Sequence, residues 1–203
     1  MKVNFRRLWQ YTLAVAMLMF IIGIAIDATD VERYARRVKH YMDEGDYGKA
    51  LQVGERSVKT NRELLLLRME VLDHEHLLGE RLFAYPVVGR GEPLAVKGRD
   101  YELCAYLIDK NLDKFVAALP KYYTISSQLP RHYREALVLY CHLRGNPVVV
   151  YHDNVMDTDF QDMQEQQRKY ADKKARQVAL STNYVGTYWY YYYFLNKGVA
   201  KAR

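Results

Sequence analysis

Length, composition and charge place the chain among folded proteins and exclude one class of function. The 203 residues are half hydrophobic and include only five prolines, which is typical of one moderate domain or one domain with an appendage. The net charge of +6 comes from 30 basic and 24 acidic residues of interspersed sign. A nucleic-acid-binding protein more often concentrates Lys and Arg on one element, so we expect no nucleic-acid partner.

The N-terminal segment, residues 1–30, predicts a membrane anchor or an export signal. Basic residues precede an uncharged stretch, residues 8–26, which can cross a bilayer with its aromatic residues at the interface. The basic residues favour a cytoplasmic N-terminus on a single span of the inner (cytoplasmic) membrane, with residues 31–203 periplasmic or extracellular. Small residues at positions 23–25 leave cleavage open as the alternative, which would release an exported soluble form.

Residues 31–64 carry the pattern of a helical hairpin. Apolar residues recur at spacings of three and four up to Met42, which indicates an amphipathic helix. Gly45 then fits a left-handed helix cap, and Asp46 fits the N-cap of a second helix. The small and apolar face of that second helix is expected to run from Ala50 to Val58. The pattern therefore predicts two short antiparallel helices joined by a tight turn.

A degenerate copy of this hairpin is expected over residues 65–98. At a period of 34 residues Gly45 aligns with Gly79, and Ala50 aligns with Ala84. A loop rich in Gly and Pro then cuts the copy short.

Further helices account for the remainder of the chain. Residues 99–146 predict more hairpins, in which residues 110–115 correspond to the turn of the first repeat. Residues 147–203 predict a loop, a polar helix that Asp159 can cap, and an aromatic closing helix. No clear strand is expected. The predicted fold class is all-α, an irregular α-solenoid of helical hairpins behind one N-terminal transmembrane or signal helix.

The first repeat resembles the tetratricopeptide repeat, although Arg62 stands where that family usually has Pro. The matching positions are Tyr34, Tyr41, Gly45, Tyr47 and Ala50. The resemblance implies a protein-interaction scaffold whose concave face, lined by the first helix of each hairpin, binds a protein or peptide. On this chain the partner-binding residues would include Arg37, Tyr41, Arg68 and Tyr101.

The order of the segments supports a second resemblance. An N-terminal span, short helical hairpins and a closing helix rich in Tyr and Trp are together similar to the tail of an uncharacterised family of bacterial multi-spanning membrane proteins. Those proteins carry a helical-repeat region after their last span. The resemblance implies a short member or a separated tail in the bacterial envelope, and it implies no known activity.

No residue pattern predicts catalysis, a metal site or a cofactor. His74 and His76 would lie about 200° apart around a helix, so they cannot chelate one ion. Cys104 and Cys141 belong to no CxxC motif and are either two buried free thiols or a disulfide between neighbouring helices. Glycine-rich phosphate loops and nucleophile elbows are absent from the sequence. The sequence therefore predicts a protein that is not an enzyme, with no cofactor, no metal and no small-molecule ligand.

Seven consecutive aromatic residues, Tyr188–Phe194, allow two interpretations. Because consecutive helical residues step by about 100°, the rings would cover every side, which is typical of a buried helix. We expect a helix that closes the end of the solenoid and still faces solvent through its hydroxyls. The alternative is an envelope carbohydrate- or polymer-binding module that stacks its ligand on a tyrosine-rich surface. The exposure of these rings separates the two interpretations.

Overall fold

The computed structural model describes the backbone of residues 5–195 and the side chains of that range except those of residues 5–8, 10 and 20–29. This part of the chain is helical and contains no strand, which confirms the predicted all-α class. Its α-helices are α1 (Phe5–Asp43), α2 (Tyr47–Gln52), α3 (Arg62–His74), α4 (Leu78–Arg81), α5 (Arg99–Ile108), α6 (Leu112–Ala118), α7 (Arg131–Leu143), α8 (Asn154–Arg168), α9 (Lys173–Tyr184) and α10 (Tyr188–Phe194). Three short 3-10 helices lie at Leu82–Ala84, Glu92–Lys97 and Leu119–Lys121.

The long helix α1 joins the predicted anchor to the first predicted repeat. It runs without a break across the boundary expected at residue 30. The predicted span, residues 8–26, lies partly outside the described side chains, whereas the side chains of residues 11–19 are all exposed. Among the residues whose side chains the structure describes, no helical stretch is long and apolar enough to cross a membrane.

Three successive helix pairs, α1–α2, α3–α4 and α5–α6, are joined by the same turn. A left-handed residue follows each first helix, at Gly45, His76 and Lys110, with φ of 76°, 58° and 53°. The amide of the next residue donates to the carbonyl five positions back over 2.7 to 2.8 Å, as in a Schellman cap. Because the left-handed residues are 31 and 34 positions apart, the turn recurs close to the predicted period.

The predicted register of the second repeat is wrong by three residues. His76, and not Gly79, occupies the position that corresponds to Gly45. A left-handed conformation costs a non-glycine residue about 1–2 kcal/mol, so a sequence pattern points to glycine and passes over histidine. Gly79 lies inside α4 and serves packing instead, since a Cβ there would come within 2.6 Å of Cζ of Tyr133.

The third turn repeats the capping of the first. The Asn111 side chain accepts a hydrogen bond from the Lys114 amide at the start of α6. Asp46 accepts from the Lys49 amide in the same way at the start of α2. The predicted correspondence of residues 110–115 with the turn of the first repeat is therefore confirmed at the level of the cap.

The second helix of the first pair is shorter than predicted. It ends at Gln52, and the chain then passes through Gly54 at a φ of 62°. Val58, which was expected on the apolar face of this helix, is 75% exposed. The next helix begins at Arg62, so the boundary expected after residue 64 falls within the first turn of α3.

The polar helix predicted near the C-terminus is two helices. The Asp153 carboxylate accepts from the Met156 amide and starts α8, and the Asp172 carboxylate accepts from the Ala175 amide and starts α9. Asp159, the predicted cap, lies inside α8. The capping chemistry was predicted correctly and the capping residue was wrong, because several carboxylates in this segment can serve as an N-cap.

The aromatic helix α10 returns to the middle of the fold. Most helices contact their neighbours in sequence, as α1 does with α2 and α3 and as α5 does with α6. The helix α10 contacts its neighbour α9 and also α7, and its rings reach Phe83 after α4 and Ile108 at the end of α5. The helix is buried as predicted, but its position at the far end of a linear stack was wrong.

Candidate functional site

The four residues predicted to face a partner do not share one surface. Arg37 is exposed and Tyr41 is half-buried, and both lie on α1. Arg68 of α3 and Tyr101 of α5 are buried, with 1% and 6% of their surface exposed. Two of the four can therefore contact a partner directly, and the other two belong to the interior.

Arg68 is a buried cation that holds the segment after α2. Its Nη2 donates to the carbonyls of Val53 and Gly54 over 3.3 and 3.1 Å. These carbonyls follow the C-terminal end of α2, where the helix dipole favours a cation. The guanidinium also lies 4.9 Å from the centre of the Tyr85 ring. Burial lowers the pKa of Arg68, because desolvation disfavours its charged form.

Tyr101 of α5 is a buried residue of the hydrophobic core. Burial raises the pKa of Tyr101 to about 12, and the carboxylates of Asp73 and Glu70 on α3 add to this shift. The Lys97 ammonium lies 5.6 Å from the centre of the ring. The phenol therefore stays neutral at physiological pH and acts as a packing residue.

An open pocket lies between α1 and the segment after α2. Its volume is about 480 Å³, and its lining residues are Tyr34, Gln52, Gly54, Glu55, Arg56 and Ser57. A Cβ at Gly54 would come within 3.1 Å of the Tyr34 ring and 3.2 Å of Nη2 of Arg68. Glycine is needed at this position for both its backbone conformation and its small size. The buried Arg68 consequently lies directly behind one of the residues that line the pocket.

A buried carboxylate attaches α10 to the rest of the fold. Glu135 of α7 is 1% exposed and accepts hydrogen bonds from Arg131 Nε over 2.8 Å and from His132 Nδ1 over 2.9 Å. The same carboxylate accepts from the Tyr188 amide, at the start of α10, over 2.7 Å. Three donors from two helices thus meet at one side chain. No local sequence pattern signals this site, because Tyr188 is 53 positions away along the chain.

The Glu135 site resembles an acid–base pair but is closed to substrate. His132 is 1% exposed, and its Nε2 accepts from the Phe83 amide over 3.2 Å. Because Nδ1 is hydrogen-bonded to Glu135, both ring nitrogens are occupied. We therefore assign this pair a structural role. In the described part of the chain, His, Cys, Asp and Glu form no group able to hold a metal ion.

The rings of α10 complete its attachment. Trp189 Nε1 donates to the Glu135 carbonyl over 2.7 Å, and the Tyr191 hydroxyl donates to the Ile108 carbonyl over 2.7 Å. Five of the seven aromatic residues from 188 to 194 are buried, and the other two are half-buried. The helix therefore offers no row of exposed rings on which a sugar or another polymer could stack.

A second polar network surrounds Asp100 at the start of α5. The hydroxyls of Tyr123 and Tyr133 donate to its Oδ1 over 2.7 and 2.8 Å. The Cys104 sulfur lies 3.7 Å from the Tyr133 hydroxyl, and burial raises the pKa of this thiol well above its usual range. The thiol is therefore protonated and unreactive at physiological pH. Cys104 and Cys141 are both free thiols, and Cys104 is buried whereas Cys141 is half-buried.

A known protein family covers the C-terminal half of the chain. The Family of unknown function (DUF6057) matches residues 92–195. The chain belongs to this family. No curated protein and no solved structure matches the chain. The DUF6057 region contains α5–α10, and with them the Glu135 site and the aromatic helix, whereas the pocket beside α1 lies outside it.

Proposed function

We propose that this DUF6057 protein is a membrane-tethered helical-repeat scaffold of the bacterial envelope, without catalytic activity, that binds a protein or peptide. The observation that carries the proposal is the recurrence of one helix–turn–helix geometry at Gly45, His76 and Lys110. The first helices of the first two pairs, α1 and α3, also contact each other. Units that repeat one turn in this way stack side by side and present an extended surface to a partner.

The tether in this proposal is the N-terminal half of α1. The large apolar side chains from Tyr11 to Met19 are 55 to 70% exposed, and no charged residue lies among them. Apolar side chains on all sides of an exposed helix are unfavourable in water and suited to lipid. The sequence remains uncharged to Ile26, so residues 8–26 would cross the membrane and residues 31–203 would lie outside the cytoplasm.

The partner-binding surface in this proposal is one flank of α1. Arg37 and Tyr41 are four residues apart, so they lie on the same side of the helix. The Lys49 ammonium lies 6.0 Å from the centre of the Tyr41 ring. Lys49 belongs to α2, so part of α2 lies on the same flank of α1. Arg36 is exposed as well, but it lies about 100° around the helix from Arg37 and serves as the matched control.

Crosslinking followed by affinity purification from membranes tests the scaffold. The full chain and its Arg37→Glu and Arg36→Glu variants are used as bait. We expect a reproducible partner with the unchanged chain and with Arg36→Glu, and a recovery several-fold lower with Arg37→Glu. The absence of a reproducible partner would contradict the scaffold, and equal recovery with both variants would contradict the assignment of this flank.

Alkaline carbonate extraction of the same membranes tests the tether. A chain that spans the bilayer stays in the pellet, because carbonate releases peripheral and enclosed soluble proteins but does not extract an apolar helix from the hydrocarbon core. Release of the full-length chain into the supernatant would contradict the tether and would leave the scaffold proposal to the crosslinking experiment.

A further inference from the structure

We infer that the pocket between α1 and residues 52–57 binds a phosphate-bearing ligand, and that Arg56 and Arg68 supply the positive charge. The pocket lies outside the α10 attachment. Its Tyr34 is on the same side of α1 as Arg37 and Tyr41, three and seven residues nearer the N-terminus. A volume of about 480 Å³ is larger than one phosphate group, so the ligand can carry an organic part.

Two positive charges without a carboxylate partner belong to the pocket region, since Arg56 lines the pocket and Arg68 lies behind Gly54 in its wall. Arg56 is exposed at the pocket and forms no ion pair with any described residue. Arg68 has no carboxylate partner among the described residues either, since its hydrogen bonds go to backbone carbonyls. The one acid in the lining, Glu55, is paired with Arg81 over 2.9 Å. Two remaining positive charges match the one to two negative charges of a phosphate group.

Of the two arginines, Arg68 gives the stronger argument for an anion in the pocket, because its charge is buried. In the described part of the chain, its Nε and Nη1 have no hydrogen-bond partner. A buried cation with unsatisfied N–H groups is costly unless an opposite charge lies nearby. Its Nη2 bonds the Gly54 carbonyl, so the charge lies just behind the pocket wall, where low dielectric leaves it weakly screened. An anion in the pocket would therefore be attracted across this wall.

The remaining lining residues are suited to orienting such a ligand. Ser57 Oγ accepts from the Lys59 amide over 3.2 Å, which leaves the hydroxyl proton to donate to a phosphate oxygen. Tyr34 supplies a flat ring for the organic part, and the planar guanidinium of Arg56 can donate two parallel hydrogen bonds.

The source of the phosphate is either a lipid headgroup or a soluble compound. Tyr34 follows Ile26 by eight residues of continuous helix, which is about 12 Å along α1. The headgroup layer on each side of a bilayer is roughly 5–8 Å thick. The pocket would thus open close to the headgroups, a position that rests on the tether in the proposed function. The charge balance of the pocket does not depend on the tether.

Ligand titration of the full chain in neutral detergent micelles tests the inference. Inorganic phosphate and dihexanoyl phosphatidic acid are added separately at constant ionic strength, and the melting temperature is followed. We expect a saturable rise with at least one of them. Because a hydrogen bond to a charged group is lost, Arg56→Gln should weaken the apparent affinity about 10-fold or more. Arg90→Gln, the same change at an exposed loop residue that does not line the pocket, should leave it unchanged.

Each outcome of this experiment decides the inference. A response to inorganic phosphate that Arg56→Gln weakens supports a soluble ligand, and a response to phosphatidic acid alone supports a headgroup. The absence of a saturable response to both probes overturns the inference, as does equal affinity in Arg56→Gln and Arg90→Gln. Failure of the tether is recognised separately by carbonate extraction, so phosphate binding without membrane retention would overturn only the proposed membrane location.

Discussion

The repeated turns and the α10 attachment are built in opposite ways. At the first turn, Gly45 and Asp46 form both helix caps with groups no more than five positions away. The bonds that hold α10 join Glu135 to Tyr188 and Ile108 to Tyr191, which are 53 and 83 positions apart. A turn of this kind is specified by its own few residues, whereas the position of α10 depends on contacts with distant helices. Changes in the turns should therefore have small local effects, and changes at the α10 attachment should have large ones.

Lys110 links the two kinds of structure. Its backbone takes the left-handed position of the third turn, at a φ of 53°. Its Nζ donates to the Tyr192 carbonyl of α10 over 2.7 Å and lies 5.3 Å from the centre of the Tyr191 ring. A glycine would suit the turn better, but it could not contact α10. The lysine therefore connects a locally specified turn to a non-local contact.

Raising the pH above 10 should give the largest effect. It should act on the α10 attachment and also on Tyr133 of α7, whose pKa burial raises as well. Tyr188 and Tyr191 of α10 are buried, and burial raises the pKa of both. Above about pH 10 the unfolded chain loses these protons while the folded chain keeps them. The free energy of unfolding should therefore fall by about 1.4 kcal/mol per pH unit for each such tyrosine.

Trp189 fluorescence in a Trp9→Phe background, together with phenolate absorbance, measures this alkaline transition. Trp189 lies in α10, so its fluorescence reports undocking. We expect the buried tyrosines to ionise together as α10 leaves its site. Independent ionisation near pH 10 with unchanged fluorescence would contradict the burial described for α10.

Glu135→Ala should have the next largest effect. Removal of the carboxylate leaves the His132 and Tyr188 donors buried and unpaired, so we expect a loss of about 3–5 kcal/mol in the free energy of unfolding. Glu135→Gln keeps one acceptor and should lose about 1–3 kcal/mol. Denaturant unfolding measures both, and Glu165→Ala, an exposed residue of α8, is the control at less than about 0.5 kcal/mol. A Glu135→Ala value as small as the control would show that α10 does not depend on this carboxylate.

Alanine at the glycines tests the corrected register of the repeat. Gly79→Ala should cost about 1–3 kcal/mol, because the new Cβ meets the Tyr133 ring. Gly45→Ala should cost about 1–2 kcal/mol through its left-handed backbone alone. Gly48 in α2 has neither constraint, so Gly48→Ala should stabilise the protein by roughly 0.5–1 kcal/mol. If replacing Tyr133 by leucine rescued Gly45→Ala as well as Gly79→Ala, the two glycines would not have the separate roles assigned here.

The smallest effects are expected at two helix caps, one from each region. Asn111→Ala removes the N-cap of α6, and Thr187→Ala removes the N-cap of α10, for a cost of about 1 kcal/mol each. The effects of Asn111→Ala and Thr187→Ala on the free energy of unfolding should differ when each is combined with Glu135→Ala. The Thr187 effect should shrink, because both changes act on the docking of α10, while the Asn111 effect should be additive. Additive values in both cases, measured by denaturant unfolding, would argue against the distinction between the two regions.

Particular residues show how far the sequence could be read. The prediction was correct for Gly45, Asp46 and the turn at residues 110–115. Glycine at a left-handed cap and a short polar side chain at an N-cap can be recognised from the neighbouring sequence alone. His76 was missed, since a histidine at a left-handed position carries no such signal. Arg68 was assigned to an exposed first-helix surface, yet its partners are carbonyls that α2 and the chain after it bring to α3.

The sequence by itself determined the helical class, two of the three repeated turns and the burial of the aromatic helix. These features depend on residues within one or two helical turns of each other, where spacing and capping chemistry are sufficient. Only the tertiary structure decided that Arg68, His132 and Glu135 are interior residues and that α10 packs in the middle of the fold. The sequence does not distinguish a polar side chain that is exposed to water from one that is hydrogen-bonded to a buried partner. The difference lies in contacts with other segments, which are 14 and 15 positions away for Arg68, 49 for His132 and 53 for Glu135.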